Sequence, residues 1–145
     1  MTLRYGIIGA GSMGREHIEN IKIMGGAAIT AIADPDPNSI QLASAVAGSQ
    51  PKQFNDHRQL LDSGLVDAVV IATPNDTHVN VLADALATEL AVFIEKPLAT
   101  TVEDCRKIID WESKRSALTW MGLEYRFMPP VNEAVSYTHL RAHET

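Results

Sequence analysis

A glycine-rich segment near the start of the chain constrains its fold more than any other feature. The segment Gly9-Ala10-Gly11-Ser12-Met13-Gly14 follows the apolar, β-rich run 3–8 and precedes a helix predicted from about Met13 to Met24. In a strand–turn–helix unit of this kind, the first glycine permits the tight turn out of the strand, and the third lets helix and strand pack closely. The segment therefore predicts that the chain begins with a βα unit of a parallel sheet.

The rest of the chain alternates short apolar runs with helical patterns. Strands that are almost wholly apolar are typical of parallel sheets buried on both faces. Regular alternation of strands and helices is typical of doubly wound α/β domains with right-handed crossovers. We therefore predict a doubly wound parallel sheet, the Rossmann fold, over residues 1–122. The further strands are predicted at 27–33, 53–54, 68–72, 91–94 and 118–122. The further helices are predicted at 39–47, around 79–86 and at 101–113, with a short one that includes residues 60 and 61.

Two of the predicted helices carry apolar stripes. Residues at positions i, i+3, i+4 and i+7 lie on one face of a helix, and that face is expected to turn toward the core. A third helix, 39–47, is followed by Gly48, a residue suited to end it. The inward faces are predicted to be Val79, Leu82, Ala83 and Leu86 in one helix, and Val102, Cys105, Ile108 and Ile109 in the other.

The composition disfavours several classes of protein. With 46% hydrophobic and 21% charged residues, the chain is typical of a globular domain. A net charge of -6 disfavours a nucleic-acid surface, which needs basic residues to displace counterions. No apolar stretch approaches the about 18 residues needed to cross a bilayer, and no signal-peptide pattern is visible. The single Cys105 permits no internal disulfide. We expect a cytoplasmic domain that contacts neither nucleic acid nor membrane.

The glycine-rich segment also predicts a binding site for a dinucleotide. Gly11 lets the backbone approach a pyrophosphate, and the start of the following helix offers unpaired N–H groups and a positive dipole end to the phosphates. The pattern alone is weak, but here it follows a strand and opens a helix. The predicted cofactor-binding residues of this segment are Gly9, Gly11, Ser12, Met13 and Gly14.

Asp34 lies 20 residues beyond Gly14, at the end of the second predicted strand. A carboxylate at this point can accept hydrogen bonds from the ribose diol of adenosine, and it would repel a 2′-phosphate. No lysine or arginine directly follows it. These observations favour NAD over NADP as the cofactor. The other interpretation is a turn aspartate ahead of Pro35, where aspartate is common.

A lysine marks the end of the fifth predicted strand, in Glu95-Lys96-Pro97. Ligands of open α/β sheets bind beyond the carboxyl ends of the strands, where Thr73-Pro74-Asn75 and the glycine turn also lie. Lys96 could donate a hydrogen bond to a substrate hydroxyl and stabilise charge during hydride transfer. A surface lysine at a strand end is the other interpretation, and the residues alone favour neither.

Four motifs in one order resemble the Gfo/Idh/MocA oxidoreductases, which include glucose-fructose oxidoreductase and inositol dehydrogenase. The resemblance runs from about Thr2 to Pro130, and Glu-Lys-Pro after a strand is its most specific part. It implies NAD(P)-dependent oxidation of a sugar, inositol or related polyol, or the reverse reduction. The motifs are the glycine turn, Ala72-Thr73-Pro74-Asn75 with His78, Glu95-Lys96-Pro97, and Arg126-Phe127-Met128-Pro129.

The resemblance also implies roles for individual residues. Lys96 would contact the substrate hydroxyl as the catalytic residue, and the Lys96–Pro97 peptide would be cis. A structural role is favoured for His78, which starts a helix. One departure is Glu89-Leu90, where relatives commonly have a Gly-Lys turn. Thr73, Pro74 and Asn75 would line the cofactor, which Lys96 would also contact. Glu95 would lie beside the nicotinamide, and Arg126 would lie at the domain junction.

The resemblance further implies a second α/β domain that is missing from this chain. That domain supplies most of the substrate pocket and the proton-transferring histidine, and relatives often associate through it into homo-oligomers. We expect residues 123–135 to be its truncated start. Residues 136–145 resemble translated adapter sequence and are expected to be a non-native tail. His139 and His143 within the tail have the spacing of a metal pair on a helix but lack a third ligand, so no metal site is predicted.

Two other functional classes remain open at the level of sequence. One is a non-catalytic dinucleotide-binding or redox-sensing module, in which Lys96 would be structural. The other is a methyltransferase, which also pairs a glycine-rich turn with an acid after the second strand. The Glu95-Lys96-Pro97 motif has no place in the methyltransferase interpretation.

Overall fold

The computed structural model describes residues 2–130 and 133, which form one sheet with helices on both faces. All strand pairs are parallel, in the order β3-β2-β1-β4-β5-β6. This is the strand order of the Rossmann fold, and it confirms the predicted fold class. The strands are β1 (Leu3–Ile8), β2 (Ala27–Ala33), β3 (Lys52–Phe54), β4 (Ala68–Ile71), β5 (Ala91–Glu95) and β6 (Thr119–Gly122), and the α-helices are α1 (Ser12–Ile23), α2 (Pro37–Ala47), α3 (His57–Leu61), α4 (His78–Leu86) and α5 (Val102–Glu112).

The strand order creates a crevice at the carboxyl ends of the central strands. From β1 the chain builds outward through β2 to β3, then crosses back to place β4 on the other side of β1. The helices that follow β1 and β4 therefore lie on opposite faces, and a gap opens beyond the carboxyl ends of these two strands. Ala72 N–H donates to Ile8 O at 2.8 Å, which holds the two strand ends side by side.

The core has two layers, one on each face of the sheet. Ile18 and Ile21 of α1 pack with α2 residues against one face, and Leu82 and Ala85 of α4 pack with Ile108 against the other. Burial of each large aliphatic side chain contributes about 1.5–3 kcal/mol. The apolar strand residues therefore hold the helices in place against the sheet. The positions of the helices in turn maintain the crevice.

Helix α2 begins two residues earlier than the sequence pattern predicts. Asp36 accepts hydrogen bonds from the N–H groups of Asn38 and Ser39, so that Pro37 occupies the first helical position. Proline suits this position because its missing N–H would have no partner there. The Ser39 hydroxyl and these N–H groups hold the pKa of Asp36 below its ordinary value. The predicted end is confirmed, since Gly48 follows in the left-handed conformation at φ 66°.

The predicted inward face of α5 is wrong at two positions. Val102 and Ile109 are 69% and 62% exposed, whereas Ile108 is buried and Cys105 is half-buried. The helix lies beside α4 near the edge of the sheet, so only a narrow stripe of its surface is covered. The buried face of α4 is also rotated from the prediction, with Val79 and Ala83 only half-buried. It comprises His78, Val81, Leu82, Ala85 and Leu86.

Some sequence predictions fall beyond the part of the chain that the structure describes. The expected tail 136–145 lies outside it, as do residues 131, 132, 134 and 135 of the expected domain start 123–135. Within the described part, none of the helices has the length and apolar character needed to cross a bilayer.

Candidate functional site

A cleft of about 680 Å³ lies beyond the carboxyl ends of β1, β2 and β4. It brings together seven of the residues predicted to bind a cofactor: Gly9, Gly11, Ser12, Met13, Asp34, Thr73 and Pro74. No sequence motif indicated the other side of the cleft, which is formed by the loop after β3 and the first turns of α4. The cleft residues added by the structure include Pro35, Asn55, Asp56, Thr77, Asn80 and Val81.

The glycine turn has the shape that a bound pyrophosphate needs. At Gly9, φ is +94°, and a Cβ would lie 2.5 Å from the carbonyl oxygen of Ala72. A Cβ on Gly11 would meet nothing within 4 Å, so its open side faces the cleft. Helix α1 starts directly after Gly11 without a side chain that caps its N–H groups. The turn thus leaves both space and hydrogen-bond donors for an anionic ligand.

Gly14 is the one predicted residue of the turn that does not line the cleft. It is buried in the first turn of α1, against the backbone of Gly9. Its place is under the turn, where it sets how closely helix and strand approach.

Asp34 sits in the cleft with both carboxylate oxygens hydrogen-bonded. Oδ2 accepts from the N–H of Ala10 at 2.7 Å, and Oδ1 accepts from the N–H of Asp36 at 2.8 Å. The first bond joins the end of β2 to the glycine turn. The second bond is the one expected of a turn aspartate, which was the other interpretation of this residue. A carboxylate oxygen has two lone pairs, so each keeps capacity for a ligand hydroxyl.

The turn after β4 is fixed by its own hydrogen bonds. The Thr77 hydroxyl lies 2.8 Å from Thr73 Oγ1 and 2.7 Å from the carbonyl oxygen of Pro74. Thr73 and Pro74 line the cleft, whereas Asn75 begins a short 3-10 turn and is exposed outside the lining.

Glu95, Lys96 and Pro97 stand at the end of β5, the strand next to β4. The Lys96–Pro97 peptide is cis, as the family resemblance implied. Lys96 is exposed, while Glu95 is 9% exposed and does not line the cleft. Glu95 Oε1 accepts from Nε2 of His17 at 2.8 Å, and Oε2 accepts from the N–H of Lys96 at 3.2 Å. None of these three residues lines the cleft; they lie at the end of the strand that pairs with β4.

Two histidines hold this region, and only one of them was singled out by the sequence. His78 is fully buried, with Nδ1 2.7 Å from the carbonyl oxygen of Pro97 and Nε2 3.0 Å from that of Thr73. This is the structural role predicted for it. His17 was missed, although it lies one helical turn after Gly14 and hence on the same side of α1. Among the described residues, no group of three metal-ligating side chains occurs.

The fold and the cleft together define a dinucleotide-binding Rossmann domain. The family model described as "Oxidoreductase family, NAD-binding Rossmann fold", GFO_IDH_MocA, matches residues 3–123. The chain belongs to this Gfo/Idh/MocA oxidoreductase family, and its Rossmann domain is the family's NAD-binding part. This confirms the resemblance and the cofactor predicted from the sequence, and it sets aside the methyltransferase interpretation.

Individual relatives support the assignment to this family. The chain is 36% identical over 135 residues to inositol 2-dehydrogenase of Klebsiella pneumoniae, covering 92% of this chain and 39% of that protein. It is 34% identical over 130 residues to the rhizopine catabolism protein MocA of Rhizobium meliloti, covering 90% and 40%. The structure of myo-inositol dehydrogenase from Lactobacillus casei in complex with NAD(H) and myo-inositol matches with a TM-score of 0.84 and 32% identity, covering 89% and 39%. The chain thus spans about two fifths of the length of these relatives.

Proposed function

We propose that this chain is the cofactor-binding part of an NAD-dependent dehydrogenase that acts on an inositol, a sugar or a related polyol. The observation that carries the proposal is the placement of Lys96 at the end of β5, the strand that pairs with β4, because the turn after β4 lines the cleft together with Gly11 and Asp34. The match to inositol 2-dehydrogenases supports the substrate class. On this proposal, residues 1–122 are the Rossmann domain, 123–135 begin the substrate domain, and 136–145 are not native.

Different residues of the cleft would bind different parts of NAD. The N–H groups at the start of α1 would hold the pyrophosphate over the open side of Gly11. Asp34, already fixed by Ala10, would accept hydrogen bonds from the adenosine ribose, which favours NAD over its 2′-phosphorylated form. The nicotinamide end would then extend toward the ends of β4 and β5, past Thr73, Pro74 and Asn75, with Glu95 beside it.

Lys96 is proposed as the catalytic residue of this chain. Bound NAD supplies a hydride acceptor for a C–H bond of the substrate. The ammonium group of Lys96 would donate a hydrogen bond to the hydroxyl on that carbon and stabilise the negative charge that develops on its oxygen. The hydroxyl proton would pass to the proton-transferring histidine that the family resemblance assigns to the second domain. Its flexible stem and exposed position leave it free to reach a substrate bound over the end of the sheet.

The protein that contains this chain is proposed to work in the cytoplasm as a homo-oligomer. The single cysteine, which permits no internal disulfide, supports the location. Exposed apolar side chains at the β6 edge, among them Trp120 and Phe127, support association.

The experiment that tests the function has two stages. The first is calorimetric titration of the 145-residue chain with NAD, which we expect to bind. The second is sequencing of the source gene past codon 135, followed by assay of the longer product for NADH formation with myo-inositol, scyllo-inositol and glucose. Turnover that disappears in Lys96→Ala would support the proposal. Binding without turnover would support a redox-sensing module instead, and an authentic stop after Thr145 would contradict the catalytic claim.

A further inference from the structure

The segment Glu95-Lys96-Pro97 is held on both sides of the lysine by a histidine. His17 contacts the residue before Lys96, and His78 contacts the residue after it. We propose that His17 and His78 are positioning residues for Lys96, which fix where its backbone stands relative to the cofactor cleft. The inference rests on the proposed function, because it assigns the two histidines to the reaction that Lys96 would serve.

His17 acts through the carboxylate of Glu95. Its ring packs edge-on against Phe93 with the ring centroids 5.1 Å apart, and its Nε2–H donates to Glu95 Oε1 at 2.8 Å. The His17 and Glu95 side chains are 17% and 11% exposed, so water competes little for this bond. The other oxygen of Glu95 accepts the N–H of Lys96. His17 therefore fixes a carboxylate that in turn fixes the backbone of the lysine.

His78 acts through backbone carbonyl groups. Its two ring nitrogens face the carbonyl oxygens of Pro97, after β5, and Thr73, after β4. Carbonyl oxygens only accept, so each tautomer of the ring donates to one of them and contacts the other. The ring is fully buried, which shields both from solvent. Thr73 lines the cleft and Pro97 adjoins the lysine. His78 therefore spans the gap between the loop proposed to line the cofactor and the loop that carries Lys96.

The two histidines reach this segment from opposite faces of the sheet. His17 belongs to α1, which packs with α2, and His78 belongs to α4, which packs on the other core layer. A lysine side chain is flexible, so its reach is defined only when its backbone is fixed. A misplacement of about 1 Å at a reacting group can reduce the rate about 100-fold. With one histidine contact on each neighbour of Lys96, both the position and the orientation of its backbone are restricted.

The test compares His17→Gln and His78→Gln with a matched control in the longer gene product that contains the whole chain. The control is Arg115→Gln, because Arg115 also donates to two backbone carbonyls, those of Thr88 and Leu90. Those carbonyls lie before β5, at the opposite end of the sheet from Lys96. Steady-state kinetics, the Kd for NADH and thermal melting are measured for all three variants and for Lys96→Ala.

We expect each histidine variant to lower kcat about 10- to 100-fold while the Kd for NADH stays within about twofold. Arg115→Gln should lower the melting temperature but leave kcat within about twofold, which separates positioning from general stability. A second discriminating readout is the pH dependence of kcat. Its alkaline limb reports the proton-donating group in the complex and should shift in the histidine variants but not in the control.

The outcomes separate the failure of this proposal from that of the function. Turnover that is lost in Lys96→Ala but retained within about twofold in both histidine variants overturns the positioning role and leaves the proposed function standing. Absence of turnover in the unaltered protein overturns both, because Lys96 then has no reaction to serve. If the buried His78→Gln variant fails to fold, His17→Gln decides the question, since its side chain lies nearer the surface.

Discussion

Gly14 lies so close to the carbonyl oxygen of Gly9 that position 14 has no room for a side chain. A Cβ built on Gly14 would lie 2.0 Å from the carbonyl oxygen of Gly9, which is backbone and cannot rotate away. Helix α1 rests on this contact, and its N-terminus, directed at the cleft, is placed by it. The third glycine of the turn therefore serves packing, whereas Gly11 leaves open space.

Alanine substitutions at Gly14 and at Gly11 should have separable effects. Gly14→Ala should destabilise the fold by about 1–3 kcal/mol or more, because helix and strand must move apart. Gly11→Ala should melt close to the unaltered chain but weaken NAD binding at least about tenfold, since its Cβ points into the space proposed for the pyrophosphate. Thermal melting and calorimetric titration measure the two effects. Normal NAD affinity in a folded Gly11→Ala variant would contradict the proposed phosphate site.

Asp34 should control both affinity for NAD and discrimination against NADP. Removing the carboxylate in Asp34→Ala deletes a charged acceptor whose hydrogen bonds are worth about 1.5–3 kcal/mol, so the Kd for NADH should rise about tenfold or more. The Kd for NADPH should rise less or fall, because the repulsion of its 2′-phosphate is also removed. Calorimetry with both cofactors gives the ratio.

A matched control for Asp34 is Asp36→Ala. Asp36 caps α2 and gives Asp34 only its backbone N–H, which the substitution keeps. This variant should lower the melting temperature and leave the ratio of the two dissociation constants unchanged. A changed ratio in Asp36→Ala, or an unchanged one in Asp34→Ala, would place cofactor discrimination elsewhere.

The pairing of Arg4 with Asp67 predicts how stability depends on acid. Hydrogen bonds from the Arg4 side chain and backbone lower the pKa of Asp67 from 3.8 to about 2. A lowered pKa in the folded state means that the pair contributes stability above pH 3.8, which is lost as the pH falls through about 2. The melting temperature of the unaltered chain should therefore exceed that of Asp67→Asn at neutral pH, and the difference should shrink across this window. A difference independent of pH would show that the carboxylate charge is not what stabilises the strand ends.

The sequence predicted the fold well because its signals were local. The glycine turn, the apolar strands and the cap at Gly48 depend on residues close together in the chain, and the structure confirms them. The contact between His17 and Glu95 joins residues 78 positions apart, and neither carries a local pattern that names the other. The orientation of α5 was likewise out of reach, because it depends on how far the sheet extends beneath that helix.

The α5 error can be checked with two neighbouring isoleucines. Ile108 is 2% exposed and Ile109 is 62% exposed, although the apolar stripe assigned both to the core. Ile108→Ala should cost about 2–5 kcal/mol of unfolding free energy, as is usual for a buried aliphatic side chain. Ile109→Ala should cost less than about 0.5 kcal/mol, as is usual for a surface position. Chemical denaturation of both variants measures the difference, and equal losses would indicate that something covers Ile109 in solution.

The exposed apolar edge of the sheet should make this chain self-associate. β6 is an edge strand, and Trp120, Leu118 and Phe127 in and around it are 53%, 65% and 65% exposed. An apolar patch beside an open strand edge favours contacts between copies. Sedimentation velocity should show association that grows with concentration and is reduced in Trp120→Gln. Leu42→Gln provides the control, because Leu42 is exposed to a similar extent, 56%, but lies on α2. A chain that stays monomeric and melts cooperatively at high concentration would contradict this prediction, and equal effects of the two substitutions would assign association to general surface hydrophobicity.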